Sequence, residues 1–397
     1  MNILYISYDG ISDFPAQSQV LPYLRRLSRE GMNFTLLSFE KKDKIEDRRL
    51  LERYREDLKK DNIKWVHKAY HSRPAIPATL FDILQGVIKG ALIVKKEKID
   101  VIHARGYIPM LMAFVISKIF HKKTVFDMRG FWPEEKVDAL AWDKNGMTYR
   151  VMKSLELAFL RSAARVVVLT ESARQELIGR RYADKEIAVI PCAVDIDIFK
   201  PGGGDRPSGG GPVLLYAGNL GSFYNLEGIL DFFKVFRRDG RAYLRILSNY
   251  PKELVDKAAR DKDIGGDAYT VEKRSYSEMP AIYASSDVSL IFYNRKMSAK
   301  GCSPVKLAES LSSGIPVVIN SGVGDCDEVV ESNNVGAVIS GFTEKEYERA
   351  SEKIHRLLSD RAETSRRCMA AAKRLFSLES AVGKYKEIYK SLERVNV

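Results

Sequence analysis

Lys306 and Glu309 stand three residues apart in a segment, residues 301–320 (GCSPVKLAESLSSGIPVVIN), that could bind a phosphorylated ligand. The pattern predicts a helix over 305–312, which puts both side chains on roughly the same face. Lys306 lies in the first turn, where the helix dipole disfavours a cation, so we expect an anion such as a diphosphate beside it. The alternative is an ordinary helix–strand unit in which both side chains are solvated.

Charged residues also follow two predicted strands in the first half of the chain, over 100–103 and 124–127. Both strands lead at once into loops, so we expect these side chains at the same carboxyl edge of a parallel sheet, where such sheets bind ligands. The residues concerned are His103, Arg105, Asp127, Arg129, Glu134 and Glu135. Helix capping and internal hydrogen bonding are the alternative for His103 and Arg105, and Arg129 cannot act as a base at physiological pH.

The elements that would position these residues alternate between strand and helix. Residues 3–8 predict a buried first strand that ends at Asp9 and Gly10, and a basic amphipathic helix over 17–30 and a strand over 33–39 follow. This order opens a doubly wound parallel sheet. The loop after the first strand is not a GxGxxG sequence, so a nicotinamide cofactor has little support.

The segment 301–320 has the same organisation. Pro304 suits a first helical position because it has no N–H to lose, and Gly314 suits the left-handed residue that ends a helix. A buried strand is expected over 316–320.

A glycine-rich run, GGGDRPSGGG, indicates a flexible linker within 201–211. The next strand runs into a turn bracketed by Gly218 and Gly221, and the helix after it can again face phosphates. No Lys or Arg stands between this strand and residue 233. The charge that neutralises a diphosphate must therefore come from elsewhere, for which Lys306 is a candidate.

Length and composition predict a globular protein of two domains. The chain has 397 residues, of which 45% are hydrophobic and 29% are charged. Its net charge of +12 favours anionic partners, and nucleotide-sugars and anionic lipid surfaces rank above nucleic acid because no nucleic-acid-binding motif is present. The four cysteines lack metal-ligand spacing and are expected to be reduced thiols of a cytoplasmic protein, and the N-terminus lacks the pattern of a signal peptide.

Three helical segments bear on membrane contact. Residues 40–60 are densely charged, which indicates a solvated surface helix rather than a membrane-docking face. An apolar helix expected over 81–98 ends in lysines, and it either packs under the sheet or touches a lipid headgroup layer. The longest apolar stretch, 107–120, is interrupted by Lys118 and is predicted to be a core helix, so no membrane-spanning segment is expected.

The run SPVKLAESLSSGIPVV resembles the donor-binding segment of retaining GT-B glycosyltransferases of family 4. In that family the segment reads Glu-x7-Glu, followed by a small-residue helix and Gly-x-Pro-Val-Val. The resemblance implies that Glu309, at the second Glu, holds the ribose of a nucleotide, whereas the first Glu falls on Gly301 and is absent. Polysaccharide-assembly members with Ser-Pro-x-Lys-x-x-Glu are more similar still. They imply a diphosphate site formed by Lys306, Lys300 and the backbone of Ser303, Pro304 and Val305.

Further landmarks of the family lie along the chain as HARGY…FDMRGFW, VIPCAVDIDIFKP and YAGNLG. The acceptor-domain His of the family aligns with Arg129, and its Gly-rich first loop aligns with a segment that contains Gln17. The resemblance places the donor pocket at Asn219 and Gly221 and the nucleotide base near Arg274. An Arg and a Lys that the family usually carries after the YAG strand are absent.

The resemblance therefore implies an α/β protein of the GT-B fold, with two Rossmann-like doubly wound domains facing across a cleft. We predict an N-terminal acceptor-side domain over 1–200, a linker over 201–211 and a C-terminal nucleotide-sugar-binding domain over 212–377. The last helix, within 378–397, is expected to pack back on the first domain.

The implied activity is transfer of a sugar from a nucleotide diphosphate donor, with retention of anomeric configuration, to a saccharide acceptor in cell-surface polysaccharide assembly. We expect a hexosyl or N-acetylhexosaminyl group, a lipid-linked acceptor, and a cytoplasmic location at the inner face of the cell membrane, with peripheral contact to anionic lipid. Neither a cofactor nor a metal is expected, because cationic side chains and helix N-termini can stabilise the leaving diphosphate.

On the acceptor side the candidate catalytic residues are Arg129, His103, Glu134 and Asp9, with Arg105 and Gln17 as candidate acceptor-binding residues. None is predicted to be a nucleophile, in keeping with a front-face mechanism in which the leaving phosphate takes the acceptor proton. Two alternatives remain. One is a GT-B sugar-nucleotide epimerase with Glu134, Glu135 and Asp127 as acids and bases, and the other is a non-catalytic nucleotide-binding partner subunit.

Overall fold

The computed structural model describes residues 1–180, 186–202, 206, 210–220, 224–294 and 297–393. The chain divides into two compact units. The first is Met1–Ile190 together with Ala381–Val397, and the second is Pro191–Ser380. Each unit is built on one parallel β-sheet covered by helices, which confirms the predicted α/β class.

The first unit alternates strands and helices along the chain. Its strands are β1 (Asn2–Ser7), β2 (Asn33–Glu40), β3 (Ile63–Ala69), β4 (Val101–Arg105), β5 (Lys123–Asp127), β6 (Arg165–Val168) and β7 (Ile187–Val189). Its helices are α1 (Phe14–Gln19), α2 (Leu21–Arg29), α3 (Lys42–Glu46), α4 (Arg48–Lys60), α5 (Ala75–Lys96), α6 (Tyr107–Phe120), α7 (Trp132–Asp138), α8 (Met147–Ser162) and α9 (Glu171–Gly179).

The sheet of the first unit has the strand order β3-β2-β1-β4-β5-β6-β7. Its central strands are apolar on both faces because helices cover both sides, so Ile3, Leu4 and Ile6 of β1 are fully buried. The order reverses between β1 and β4, where Ser7 is paired with Arg105. The carboxyl ends of these two strands are therefore the expected ligand site of the unit.

The second unit repeats this plan. Its strands are β8 (Val213–Ala217), β9 (Tyr243–Leu247), β10 (Tyr269–Glu272), β11 (Val288–Ile291), β12 (Val317–Asn320) and β13 (Gly336–Ile339). Its helices are α10 (Leu226–Phe236), α11 (Lys252–Arg260), α12 (Met279–Ala284), α13 (Val305–Ser312), α14 (Cys326–Ser332), α15 (Glu344–Ser359) and α16 (Arg361–Phe376), and α17 (Leu378–Glu393) continues from it into the first unit. The strand order is β10-β9-β8-β11-β12-β13, which reverses between β8 and β11.

The segment around α13 has the predicted form. The helix covers the predicted residues 305–312, and Gly314 has a φ of +75°, the left-handed conformation that favours glycine. Pro304 is the residue just before the helix rather than its first residue, with an extended backbone.

The boundary between the units lies at Ile190 and Pro191, earlier than the predicted end of the first domain at residue 200. The reason is that residues after 190 pack within the second unit. Val194 donates its N–H to the carbonyl oxygen of Phe376, and its own carbonyl accepts the N–H of Leu378. Phe199 is fully buried in the core of the second unit.

The final helix contributes to the first unit, as predicted for the segment 378–397. Tyr385 packs edge-on against Tyr23, and Tyr389 packs against Phe34 in the same way. The part of α17 from Ala381 onward thus completes the core of the first unit.

Other elements differ from the sequence-based expectation. The predicted helix over 17–30 is two helices, α1 and α2, with a break at Val20, before Pro22. We expected no segment to be long and apolar enough to span a membrane. This expectation is wrong, because α5 has 22 residues and is sufficiently apolar. The sequence pattern placed the start of this helix too late, at residue 81.

Candidate functional site

In the first unit, two predicted site residues meet at the carboxyl ends of β1 and β4. Asp9 lies two residues beyond β1, and Arg105 is the last residue of β4. Arg105 donates a hydrogen bond to Asp9, with 2.6 Å between Nη1 and Oδ2. The structure therefore places a charge pair at the point where the strand order reverses.

A pocket of about 190 Å³ opens at this point. Asp9, Arg105, Arg129 and Glu135 supply its charged groups. Tyr8, Tyr107 and Trp132 supply aromatic surface. Charged hydrogen-bonding groups beside aromatic faces suit a small ligand that carries several hydroxyl groups.

Arg129 is held at this pocket by Asp127, the last residue of β5, with 3.3 Å between Nη1 and Oδ1. Burial alone would raise the pKa of Asp127, but Arg129 and His103 outweigh it and hold the pKa below its usual value. Asp127 therefore remains ionised and keeps the guanidinium in place. A fixed guanidinium can bind an anion or a hydroxyl group, but it cannot take a proton.

His103 was predicted to be catalytic, but the structure buries it within β4. Its ring stacks on that of Tyr5 at a centroid distance of 4.4 Å, and its Nδ1 lies 2.7 Å from the hydroxyl of Tyr389. Burial lowers the pKa of His103, against the opposing effect of Asp127. His103 does not line the pocket, so internal hydrogen bonding is the better account of this residue.

Glu134 and Glu135 occupy the first turn of α7 but have different surroundings. Glu134 is buried, and its Oε1 accepts hydrogen bonds from Lys153 at 2.9 Å and from Tyr149 at 3.2 Å. Glu135 lines the pocket, and burial raises its pKa to about 7. The structure therefore favours Glu135 over the predicted Glu134 as the acid or base of this site.

Gln17 does not reach the pocket either, because its Nε2 donates to the carbonyl oxygen of Ile11 in its own loop. Tyr8 stands at the pocket instead, and its hydroxyl donates to the buried Asp82 at 2.8 Å. The same carboxylate accepts the backbone N–H of His71. Burial and the bond to Asp82 raise the pKa of Tyr8 above its usual value, so Tyr8 keeps its proton.

In the second unit, the ammonium of Lys306 lies among three tyrosine rings. Its Nζ is 3.9 Å from the ring centroid of Tyr224, 4.9 Å from that of Tyr216 and 5.8 Å from that of Tyr293. The residue is 8% exposed, and Nζ has no hydrogen-bond partner among the residues that the structure describes. Ring faces stabilise a cation but accept few of its three N–H donors. The ammonium is therefore available to an anion.

Gly218, directly after β8, lies against the same ammonium. A Cβ at this position would come within 2.7 Å of the Nζ of Lys306, and φ is +150°, so a side chain would obstruct the site. The helix α13 begins without a side-chain cap and without an acid in its first turn. These features agree with the predicted anion site at the start of α13.

Glu309 follows Lys306 by one helical turn and is also buried. Burial raises its pKa to about 7, although a hydrogen bond with Tyr283 and the charge of Lys306 act in the opposite direction. Its Oε1 has no hydrogen-bond partner among the described residues. A buried carboxylate oxygen without a donor is unfavourable, so it is a natural acceptor for a ligand hydroxyl.

The other predicted donor-site residues near α13 surround its first turn. The Ser303 hydroxyl accepts the backbone N–H of Cys192 at 3.2 Å. Pro304 precedes the helix and Val305 begins it. Lys300 is exposed in the short helix Met297–Gly301.

The remaining predicted donor residues are Asn219, Gly221 and Arg274. Asn219 is exposed beside Gly218, and its carbonyl oxygen accepts a hydrogen bond from Tyr216. Gly221 lies outside the described residues. Arg274 follows the edge strand β10 and forms ion pairs with Glu272 and Glu278, so its charge is already balanced by protein carboxylates.

Two family models match successive parts of the chain. One is described as Glycosyltransferase Family 4 and matches residues 16–198, and the other, Glycosyl transferases group 1, matches residues 205–375. The chain belongs to the family 4-like GT-B glycosyltransferases. Its two parallel sheets correspond to the two Rossmann-like domains of that fold.

The glycosyltransferase is similar in fold to several solved structures. A glycosyltransferase from Rickettsia africae ESF-5 has a TM-score of 0.74 at 15% identity, over 100% of this chain and 99% of that chain. Sucrose-phosphate synthase from Thermosynechococcus elongatus has a TM-score of 0.76 at 14% identity, over 100% of both chains. An Anabaena protein in complex with UDP and glucose has a TM-score of 0.69 at 15% identity, over 98% of this chain and 99% of that chain. A comparison with curated protein sequences finds no match.

Sequence reasoning missed the tyrosines around Lys306, and it named Glu135 beside Glu134 at this sheet edge but chose Glu134 as the candidate catalytic residue of the transferase. Tyr216 and Tyr293 lie at the carboxyl ends of neighbouring strands. Because the Lys306 segment was already assigned to ligand binding, the sequence could have predicted these two tyrosines at the same site. No sequence signal distinguished Glu135 from Glu134, because two adjacent glutamates in one helical turn are equivalent until the tertiary structure orients one of them toward the pocket.

Proposed function

We propose that this glycosyltransferase moves a sugar, with retention of anomeric configuration, from a nucleoside diphosphate donor to a saccharide acceptor. The observation that carries the proposal is the buried ammonium of Lys306, which has no hydrogen-bond partner among the described residues. A diphosphate would supply the missing acceptors. The Anabaena protein of similar fold, solved with UDP and glucose, supports a nucleotide-sugar and makes UDP the first donor nucleotide to examine.

The donor would bind along the first turns of α13. Lys306 and the N–H groups at the start of the helix would hold the diphosphate, and Gly218 leaves room for a phosphate to approach the ammonium. Glu309 would accept a hydrogen bond from a ribose hydroxyl through Oε1, which has no partner in the part of the chain that the structure describes. The sugar would be hexosyl or N-acetylhexosaminyl.

In the transfer step, a bond forms between an acceptor hydroxyl oxygen and the anomeric carbon, and the bond from that carbon to the β-phosphate oxygen breaks. A front-face path gives retention, and the acceptor proton passes to the leaving phosphate. Negative charge grows on the diphosphate as the bond breaks, and we propose that Lys306 and the N-terminus of α13 stabilise it in place of a metal.

The pocket of the first unit would bind the acceptor saccharide. Its aromatic surface would contact the C–H groups of a sugar ring, while Arg105, Arg129 and Glu135 would bind hydroxyl groups. With a pKa of about 7, Glu135 would accept a hydrogen bond from a hydroxyl once it is ionised. The resemblance to polysaccharide-assembly members supports a lipid-linked acceptor, cell-surface polysaccharide as the product, and a cytoplasmic site of action.

The test compares UDP with uridine as ligands of the wild type, Lys306→Met and Lys345→Met. Lys345 is an exposed lysine of α15 and serves as the matched control. A charged hydrogen bond contributes roughly 1.5–3 kcal/mol. Lys306→Met should therefore lower the affinity for UDP by about tenfold to a hundredfold and the affinity for uridine much less. Titration calorimetry measures both affinities. Equal losses for UDP and uridine would remove Lys306 from the diphosphate site.

The alternatives are separated by incubating the donor with and without acceptor. A transferase makes a glycosylated acceptor and releases nucleoside diphosphate. An epimerase would interconvert the free nucleotide-sugar without acceptor, and a non-catalytic subunit would bind nucleotide and leave every nucleotide-sugar unchanged.

A further inference from the structure

Helix α5 exposes a stripe of large apolar side chains. Those of Ile76, Leu80, Leu84, Ile88 and Leu92 follow one another at four-residue intervals, and each residue is between 55% and 65% exposed. Phe81 lies beside them and is 52% exposed. We call these six residues the α5 stripe. At 1.5 Å per residue it extends about 24 Å along the helix, and exposed apolar patches of this kind mark interaction sites.

The opposite face of α5 is fixed to the first unit. Asp82 is buried and bonded to Tyr8 and His71. A Cβ at Gly86 would overlap the sulfur of Met112 on α6, and one at Gly90 would lie 2.5 Å from Ile116. The two helices are therefore in close contact. For α5 to span a bilayer, these contacts and the buried carboxylate would have to be given up, so the helix can lie on a membrane but not cross it.

The apolar surface continues onto α6. Val115 and Ile119 of that helix are exposed, Ile119 by 58%. Ile119 follows Ile116, which contacts α5, by three residues, so the two side chains are neighbours on the helix surface. The exposed apolar area thus extends across the seam between the two helices.

The fully exposed charges along and directly after the stripe are lysines, and Glu97 among them is only partly exposed and is paired with Lys64. From residue 75 to residue 98, all of which the structure describes, every exposed side chain is apolar or a lysine. Lys95, Lys96 and Lys98 follow the stripe, and Lys118 is exposed near the end of α6. Asp82 is the sole acid between residues 72 and 96, and none occurs between 106 and 126.

We propose that the α5 stripe docks on an anionic lipid bilayer, with α5 lying parallel to the membrane surface. The apolar side chains would enter the boundary between headgroups and acyl chains, and the lysines would meet the anionic headgroups. A second copy of the chain fits less well, because the exposed charges of its identical face are also lysines and its Glu97 is already paired with Lys64.

The test measures co-sedimentation of the full chain with vesicles. One preparation is phosphatidylcholine alone, and the other is an equal mixture of phosphatidylcholine and phosphatidylglycerol. We expect the wild type to bind the mixed vesicles and to bind phosphatidylcholine weakly. Added salt should reduce the difference between them.

Two sets of variants separate the apolar and charged contributions. Leu84→Gln/Ile88→Gln/Leu92→Gln should weaken binding to mixed vesicles by about tenfold or more. Lys95→Gln/Lys96→Gln/Lys98→Gln should weaken it by about fivefold per lysine. Leu254→Gln, which replaces an exposed leucine of α11 in the second unit, should bind like the wild type. All replaced side chains are exposed, so unfolding temperatures should stay close to that of the wild type. If the triple leucine/isoleucine variant unfolds at a lower temperature, Leu84→Gln and Leu92→Gln alone are compared instead.

Three results would overturn the proposal. The first is that the wild-type protein does not sediment with mixed vesicles. The second is that the folded variant Leu84→Gln/Ile88→Gln/Leu92→Gln, the stripe variant, still sediments with them as fully as the wild type. The third is a lipid-free dimer, seen by light scattering, that the stripe variant converts to monomer while neither form binds lipid. The readout is lipid binding, so the proposal stands or falls independently of sugar transfer.

Discussion

Lys306 and Glu309 lie one turn apart on α13, and each has a buried polar atom without a hydrogen-bond partner among the residues that the structure describes. The lysine is surrounded by aromatic rings, and the glutamate is hydrogen-bonded on one oxygen. Neither arrangement is explained by packing, because a leucine or methionine would fill the same space without desolvating a charge. At the residue scale, the proposed donor site is therefore marked by two buried polar atoms that a ligand could satisfy.

Glu309→Gln should make the stability of the protein less dependent on pH. The pKa of Glu309 is about 7 in the fold, above its usual value. Its protonated form therefore stabilises the fold, fully at low pH, and this contribution is lost as the pH rises through about 7. We expect a loss of about 1–3 kcal/mol from this group between about pH 5 and pH 8. Glu135 adds a similar dependence, so the variant should retain part of it.

Unfolding temperatures at the two pH values measure this change. Glu253→Gln, which replaces an exposed glutamate of α11, is the control and should keep the wild-type dependence. If the wild type and Glu309→Gln lose the same stability across this range, the raised pKa is not present in solution.

Glu135→Gln should change how sugar transfer depends on pH. If the ionised carboxylate binds an acceptor hydroxyl, the wild-type rate should rise as the pH passes about 7, following its pKa. The glutamine variant should be slower and nearly independent of pH in this range. Glu134→Gln should unfold more easily, since Lys153 loses one of its two carboxylate partners and keeps Glu156, but should keep the wild-type profile. A Glu135→Gln enzyme that still shows the rise would exclude this role.

The sequence singled out Lys306, Glu309, Asp9, Arg105 and Arg129 as candidate site residues, because charges at predicted strand and helix ends stand out from a solvated surface. It did not separate Glu134 from Glu135, and it favoured His103, which is buried. Those outcomes depend on how α7 and β4 pack, and no local pattern carries that information.

At the scale of single elements, glycine allows α5 and α6 to approach closely. Gly86→Ala would place a methyl group against the sulfur of Met112 and 3.1 Å from Cζ of Phe39. Both neighbours are buried and cannot move freely. We expect a loss of about 1–3 kcal/mol in the free energy of unfolding, measured by urea denaturation.

Gly383→Ala is the matched control, since Gly383 lies in the helix α17 with nothing within 4 Å of the added Cβ. It should gain about 0.5–1 kcal/mol through helix propensity alone. A neutral or stabilising Gly86→Ala would argue against the close contact between α5 and α6.

Most elements could be predicted because their apolar periodicity and flanking turn residues agree, as in α13 with Gly314 behind it. The strands β3 and β13 were not predicted. The first, IKWVHKA, is half polar because it lies at the edge of its sheet, and the second, GAVI, begins with glycine and alanine, which are uncommon in strands. The start of α5 was missed because Pro77 stands in its first turn, where proline is tolerated although it usually signals a break.

At the scale of the whole molecule, each unit has its own sheet and its own buried clusters. We expect calorimetry to resolve two thermal transitions. UDP should raise one of them by stabilising the second unit. Tyr389→Ala should lower the other, by removing a ring that packs on Phe34 and bonds to His103. A single transition that responds to both changes would contradict two separately stable units.

The pairing of Val194 with Phe376 and Leu378 brings the entrance and exit of the second unit together. The second unit is therefore a continuous insertion, and the first is assembled from segments on either side of it. On the ribosome, residues 1–190 emerge first but without Tyr385 and Tyr389, which fill the space around His103. That part of the core of the first unit therefore stays unfilled until the second unit and α17 have been synthesised. Translation of the first unit thus begins before that of the second unit, but its core is completed only afterwards.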